Sequence, residues 1–171
     1  MAFDSTIGGE NSNSYSDVAA ADEYFATNLA GESWQGLSDI QKQSYLVQAT
    51  LMIDDFVDWT SLPSSESQSL HWPAVGATDR SGRSHPDNII PKDIQRATCE
   101  QAVYLMEVNS TNNPAAISQG IKSAKADVLE VEFDKSAIPD RLGATVEAIL
   151  SCYGKTRGKG NALSQSVVGS A

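Results

Sequence analysis

LSDIQKQSYLVQATLMIDDFVDW, residues 37–59, is the stretch that decides the fold. Ser38 and Gln41 have the spacing of a capping box, in which each side chain bonds the backbone N–H of the other residue at a helix N-terminus. Apolar residues then recur every three or four positions, the period of a helix with one buried face. We predict one long helix of about 20 residues, with a buried stripe of Leu46, Ala49, Ile53, Phe56 and Val57.

Three further helices are predicted on either side of this one. The first has a capping-box spacing that begins at Ser14, with Ser16 as an alternative N-cap, and it stops at Gly31. Another starts at Pro91, because the N–H that proline lacks would be unpaired in the first turn of a helix anyway. The last starts at Pro139 and stops at Gly154. The helices therefore account for most of the predicted regular structure.

The predicted fold class is mainly α, a four-helix core with a small β element and extended N- and C-terminal arms. The β element is KADVLEVEFD, residues 125–134, whose strict alternation of apolar and acidic residues predicts a strand. We divide the chain into an N-terminal arm (1–13), a helical domain (14–154) and a C-terminal arm (155–171). Both arms are polar, and the second has too few apolar residues to pack by itself.

The net charge of −10 is unevenly distributed. Residues 1–79 contain one basic and twelve acidic residues, giving −11, whereas residues 80–171 contain eleven basic and ten acidic residues, giving +1. Wrapping nucleic acid needs clustered Lys and Arg that neutralise phosphates, so the composition argues against that role. No apolar run is long enough to span a bilayer, and we predict no membrane partner.

The loop LHWPAVGATDRSGRSHPDNIIP, residues 70–91, is the least regular stretch. A loop of this length inside a compact domain is uncommon and is often functional. It holds both histidines, His71 and His85, but no nucleophile elbow, phosphate-binding loop or metal-ligand spacing accompanies them. We therefore predict no catalytic residue, no metal and no cofactor. A small enzyme that uses one of the histidines is an alternative.

The densest carboxylate cluster is Asp54, Asp55 and Asp58. On a helix, Asp54 and Asp58 would lie one turn apart. The cluster is therefore either a cation site or partner contact, or simply a solvated polar face. The tryptophans lie at helix ends or in loops, where exposed rings could stack single-stranded bases. Because no basic residues interleave with them, we predict that they cover the ends of the helical core: Trp34, Trp59 and Trp72.

The order of these pieces resembles a phage-encoded family labelled "DnaT-like single-stranded DNA-binding protein". The resemblance covers residues 14–153 and departs at Ala74, where the family commonly has an arginine after Trp-Pro. The matching pieces are SYSDVAAADEYFA, a tryptophan, YLVQATLMIDDF, LHWP with DRSGR and IIP, IQRATCEQAVYLM and IKSAKADVLEVEFD.

Members of this kind in tailed bacteriophages resemble head-to-tail connectors, so the resemblance implies a structural virion protein. It would be assembled in the host cytoplasm and would form a dodecameric ring between the portal protein and a tail or nozzle protein. Double-stranded DNA would pass through the ring, and we expect Asp54, Asp55 and Asp58 to face it, since like charge keeps the duplex from adhering. The alternative is a single-stranded-DNA-binding replication accessory protein.

Contacts with the portal or with neighbouring subunits are expected from two segments, the long loop and the C-terminal arm. The loop would supply apolar anchors at its two ends, and the arm would supply a basic cluster followed by sparse apolar residues. The expected contact residues are Trp72, Pro73, Ile89, Ile90, Lys155, Arg157, Lys159, Leu163, Val167 and Val168.

Overall fold

A computed structural model describes residues 2–112 and 142–157. This part of the chain contains five helices and two small antiparallel sheets. The helices are α1 (Val18–Phe25), α2 (Gly31–Gln35), α3 (Asp39–Phe56), α4 (Lys92–Asn112) and α5 (Ala144–Leu150). The strands are β1 (Val57–Trp59), β2 (Leu62–Pro63), β3 (Ala74–Val75) and β4 (Gly154–Thr156).

The long predicted helix is confirmed as α3. The backbone N–H of Gln41 donates to Ser38 Oγ (3.4 Å), and the N–H of Ser38 donates to Gln41 Oε1 (2.9 Å), so the capping box is complete. The buried face of α3 includes Leu46, Ala49 and Ile53. Because α3 packs on α4, and α4 packs on α5, this face lies at the centre of the domain.

The core consists of two apolar clusters that α3 connects. In the first, Trp72 is 1% exposed and meets Trp59 and Tyr153 edge to face, with ring centroids 5.6 and 5.5 Å apart. In the second, Phe25 stacks on Trp34 at 4.5 Å. Burial of Trp34 and Trp72 confirms that these rings cover the helical core and are not exposed stacking platforms.

A four-helix core is not confirmed, and the sheets are not where the sequence predicts a strand. β1 pairs antiparallel with β4, and β2 pairs antiparallel with β3. The predicted strand at 125–134 and the predicted helix start at Pro139 lie outside the described residues. The last described helix ends at Leu150, and Gly154 begins a strand instead of stopping that helix.

The N-terminal segment, residues 2–13 of the predicted arm, is packed against the domain. Asn13 holds the segment together: its Nδ2 donates to the carbonyl of Ala2 (2.7 Å), and its Oδ1 accepts the N–H of Asp4 (2.9 Å). Ser69 N–H donates to the carbonyl of Gly9 (3.2 Å) and ties the segment to the chain just before the long loop. Hydrogen bonds from polar groups hold this segment in place, so the spacing of apolar residues in the sequence does not predict its structure.

The first helix begins at Val18, later than predicted. Asp17 is its N-cap, because the Asp17 carboxylate accepts the N–H of Ala20 at 2.7 Å. Ser14 is not free to cap, since its hydroxyl donates to the carbonyl of Ser16 (2.7 Å). The capping-box spacing at Ser14 is therefore not used.

The first residues of the predicted C-terminal arm belong to the domain. Lys155 and Thr156 lie in β4, opposite Asp58 and Val57. The N–H of Arg157 then donates to the carbonyl of Phe56 (2.8 Å). Backbone pairing of this kind fixes the segment regardless of its low apolar content. Four of the predicted contact residues lie outside the described part of the chain: Lys159, Leu163, Val167 and Val168.

Replacing Gly154 with alanine is expected to lower the free energy of unfolding by about 1–3 kcal/mol, the usual cost of overpacking. A Cβ at Gly154 would lie 2.6 Å from the carbonyl oxygen of Asp58 and 2.7 Å from Val57 Cγ1. The control is Gly36→Ala, whose Cβ would meet only ordinary contacts, the nearest at 3.6 Å. Urea unfolding measures both variants, and equal stabilities would show that β1 and β4 tolerate the methyl group.

Candidate nucleic-acid interface

The described lysines and arginines fall into two groups. Four of them, Arg80, Lys92, Arg96 and Lys155, are exposed and form no salt bridge within residues 2–112 and 142–157. The others are held in ion pairs of 2.8 Å: Lys42 with Asp22, Arg83 with Asp79, and Arg157 with Asp58. The first group therefore carries the positive charge that a ligand could neutralise.

Three of these four cations line two adjoining clefts along α4. The Tyr24 cleft, about 410 Å³, lies between α1 and α4 and includes Lys92 and Arg96. The Arg80 cleft, about 310 Å³, lies between α4, α5 and the long loop and includes Arg80 and Arg96. Arg96 and Asp93 line both clefts, so the two clefts adjoin at these residues, and we call them together the groove.

The start of α4 sets the positions of Lys92 and Arg96. The two residues are one helical turn apart and therefore share a face. Ile94 and Ala97 point away from that face and are fully buried. The helix is thus anchored by its apolar side, while its cations remain exposed at the groove.

The loop segment 79–83 holds Arg80 in place on the other side. The Asp79 carboxylate accepts the N–H groups of Ser81 (2.8 Å) and Arg83 (2.9 Å), and Gly82 has a φ of +77° that favours glycine. Arg80 Nη2 then donates to the carbonyl of Ala148 (2.7 Å), near the end of α5. This bond fixes the guanidinium across the Arg80 cleft.

Tyr24 forms an aromatic wall of the groove. Its ring packs edge-on against Phe25, with centroids 5.2 Å apart, and its hydroxyl donates to the Glu100 carboxylate. Burial and the Glu100 carboxylate raise the pKa of Tyr24, while the neighbouring Arg96 guanidinium acts in the opposite direction. Tyr24 is therefore a neutral, fixed ring beside a cation at physiological pH.

Asp93 is positioned from behind by Tyr153. The hydroxyl of Tyr153 donates to Asp93 Oδ2 (3.0 Å) and lies 3.1 Å from His85 Nε2. Burial and the Asp93 carboxylate raise the pKa of Tyr153 well above its ordinary value, so the hydroxyl remains a donor. His85 is thus part of the support of the groove.

Comparison with known protein families shows which family the chain belongs to. Residues 1–168 match the family described as "Putative DnaT-like ssDNA binding protein". The chain belongs to this family. No curated protein and no solved structure was found to match it. The DnaT-like resemblance of the sequence is thereby confirmed at the level of the family.

The same finding overturns the connector prediction. The DnaT-like family is described by single-stranded DNA binding, not by a place in the virion. The portal protein, the tail or nozzle protein, the dodecameric ring and the passage of double-stranded DNA were inferred with the connector role, and they are withdrawn with it. No described helix is both long enough and apolar enough to cross a membrane.

The loop residues predicted as contacts are mostly inside the domain. Trp72, Pro73 and Ile90 are buried, and of the four only Ile89 is exposed, at 41%. The long loop packs its two ends into the first apolar cluster and leaves its middle at the surface. Trp72 and Pro73 therefore stabilise this DnaT-like domain from within.

The three predicted channel aspartates do not share a face. α3 ends at Phe56, so Asp58 lies in β1, where Arg157 Nε donates to it (2.8 Å), and the one-turn spacing to Asp54 does not apply. Asp54 instead accepts the hydroxyl of Tyr15 and the N–H of His71 (3.1 Å). Asp55 is exposed. No group of residues in the described part of the chain is arranged to hold a metal ion.

His71 belongs to the aromatic packing around Trp59 and does not line the groove. Its ring stacks on Trp59, with centroids 5.1 Å apart, and its Nε2 lies 3.1 Å from Ser61 Oγ. Burial lowers the pKa of His71 from 6.5 to about 4. The native imidazole is therefore neutral, whereas the unfolded chain takes up a proton near pH 6.5.

Acidification from pH 6.5 towards 4 is therefore expected to destabilise the protein through His71. Burial raises the pKa of Asp54, which acts in the opposite direction above pH 3.8 and offsets part of the effect. Unfolding free energies of the wild type and His71→Gln at pH 7 and pH 5 isolate the histidine contribution. The wild type should lose more stability than the variant; equal losses would contradict the assignment.

Sequence reasoning missed the groove residues Tyr24, Lys92 and Arg96. One signal was present: Lys92 and Arg96 are spaced i, i+4, and Lys92 follows Pro91 directly at the start of α4. That spacing places two cations on one face. Nothing local indicated that Tyr24 would lie beside them, because α1 and α4 are far apart in sequence.

Proposed function

We propose that this protein binds single-stranded DNA along the groove, with Arg80, Lys92 and Arg96 as phosphate contacts. The observation that carries the proposal is that these exposed cations, free of salt bridges within the described residues, line two adjoining clefts. Membership of a family described by single-stranded DNA binding supports it.

The clefts favour a single strand over a duplex. Single-strand binding combines a positive groove that follows the backbone with aromatic rings on which bases stack. Tyr24 offers such a ring next to Arg96. In a duplex the bases are stacked within the helix, so their faces could not reach this ring.

The acidic character of the chain limits the affinity without excluding binding. Asp93 and Glu23 also line the groove, so three cations face two carboxylates. The remaining negative charge acts from a distance and is screened beyond about 8 Å at physiological ionic strength. We expect moderate binding that depends on salt.

The salt dependence tests the proposal. Three phosphate contacts predict that log Kobs falls with log salt with a slope of about −2 for a single strand. Fluorescence anisotropy of a short labelled oligonucleotide, from about 50 to about 200 mM NaCl, measures the slope. The matching duplex is the control and should bind more weakly. A slope near zero, or tighter binding of the duplex, would contradict the proposed interface.

A further inference from the structure

We infer that the Tyr24 cleft is a nucleobase pocket that selects bases with an exocyclic amino group over thymine. The inference rests on the proposed function and adds a base preference to it. The cleft volume of about 410 Å³ falls within the range of about 300–1,000 Å³ typical of small-molecule sites.

The walls of the cleft suit a flat ring. Tyr24 provides an aromatic face whose orientation is fixed at both ends, by the hydrogen bond to Glu100 and by the edge contact with Phe25. Ala20 and Cys99 add small apolar surface to the lining. Burial raises the pKa of the Cys99 thiol to about 12, so this wall stays uncharged. Stacking of a base on Tyr24 would cost little side-chain entropy, because the ring is already held in place.

The carboxylates at the cleft determine which base edge fits. Asp93 uses Oδ2 for the hydroxyl of Tyr153, which leaves Oδ1 as an acceptor. The Glu23 carboxylate makes no hydrogen bond or ion pair to the described residues, and it is exposed at the cleft. Both groups can only accept hydrogen bonds when ionised.

Exocyclic amino groups are the complementary donors. Cytosine N4, adenine N6 and guanine N2 each carry an NH₂ group, whereas thymine presents O4 and O2 acceptors around a single ring N–H. A carboxylate facing a carbonyl oxygen is repelled and left without a donor. Lys92 and Arg96 do not reverse this preference, because the proposed function engages them with phosphates.

The test compares oligo-dC with oligo-dT of equal length at the same salt concentration. These two strands share pyrimidine rings and backbone, so they differ mainly at the edge that the carboxylates would contact. Oligo-dC is expected to bind about fivefold more tightly, the lower end of the discrimination given by one good base contact. Anisotropy measures both affinities.

Glu23→Gln tests the cause of the preference. The amide has nearly the same size, and it can donate to thymine O4 as well as accept. It should reduce the dC-to-dT ratio several-fold. Glu147→Gln is the matched control, because Glu147 is exposed on α5 and lines neither cleft. This substitution changes the net charge by the same amount as Glu23→Gln but should leave the dC-to-dT ratio unchanged.

The outcomes separate this inference from the proposed function. Equal binding of oligo-dC and oligo-dT by the wild type would overturn the base preference and leave single-strand binding intact. A dC preference that neither Glu23→Gln nor Asp93→Asn changes would also overturn it, because the selection would then arise outside the carboxylates of this cleft. Failure of both oligonucleotides to bind would overturn the proposed function and this inference together.

Discussion

Replacing Trp72 with alanine is expected to lower the free energy of unfolding by about 3–5 kcal/mol, the usual cost of removing a large aromatic side chain from a core. Trp72 is 1% exposed and packs against both Trp59 and Tyr153. Its removal would leave a cavity between the long loop, β1 and the segment after α5. Urea unfolding followed by far-ultraviolet circular dichroism measures the change.

The control for Trp72 is another apolar residue of the same loop. Ile89 is 41% exposed, so Ile89→Ala should change the unfolding free energy much less. If Trp72→Ala is as stable as Ile89→Ala, the first apolar cluster is not what holds the loop. The sequence led us to expect a role for Trp72 in assembly, and its burial assigns it to the core.

Replacing Arg96 with alanine is expected to weaken single-strand binding by about tenfold or more. A charge-assisted hydrogen bond contributes about 1.5–3 kcal/mol, and 1.4 kcal/mol corresponds to a factor of ten. Arg96 lines both clefts, so its loss affects the whole groove. The salt slope should also become shallower by about 0.7, because one phosphate contact is removed.

Arg157→Ala is the matched control for Arg96. Arg157 lines neither cleft and is paired with Asp58. The Arg157→Ala substitution removes the same charge as Arg96→Ala, so a general electrostatic effect would weaken single-strand binding equally in both variants. Binding of Arg96→Ala at wild-type strength would show that the groove is not the interface. Circular dichroism is used to check that both variants remain folded.

The parts of the fold that were predictable from sequence are those with local signals. The capping box at Ser38 and the stripe from Leu46 to Ile53 lie within a few turns of each other, and α3 follows from them. The strands gave no such signal, since each has only two or three residues, too few to show alternation. The pairing of β1 with β4 joins segments almost a hundred positions apart, which no local pattern reveals.

The candidate site was less predictable for a related reason. The sequence shows how many charges are present, but salt bridges decide which of them remain available. Arg83 and Arg80 are close neighbours in DRSGR, yet only Arg83 is paired with Asp79. We looked for basic residues only beside the tryptophans, whereas the aromatic ring that lies beside Arg96 belongs to Tyr24.

The closure of β4 onto β1 has a consequence for synthesis of the chain. The carbonyl of Tyr153 accepts the N–H of Thr60 (3.0 Å), and the N–H of Arg157 reaches back to Phe56 (2.8 Å). A nascent chain leaves the ribosome with its N-terminus first, and domains generally fold as units during translation. Helix α3 is made early, but the residues that cover its end are among the last described ones. The pairing of β1 with β4 is therefore complete only after Arg157 has left the ribosome, and ribosome-bound chains that stop short of β4 expose the edge of β1.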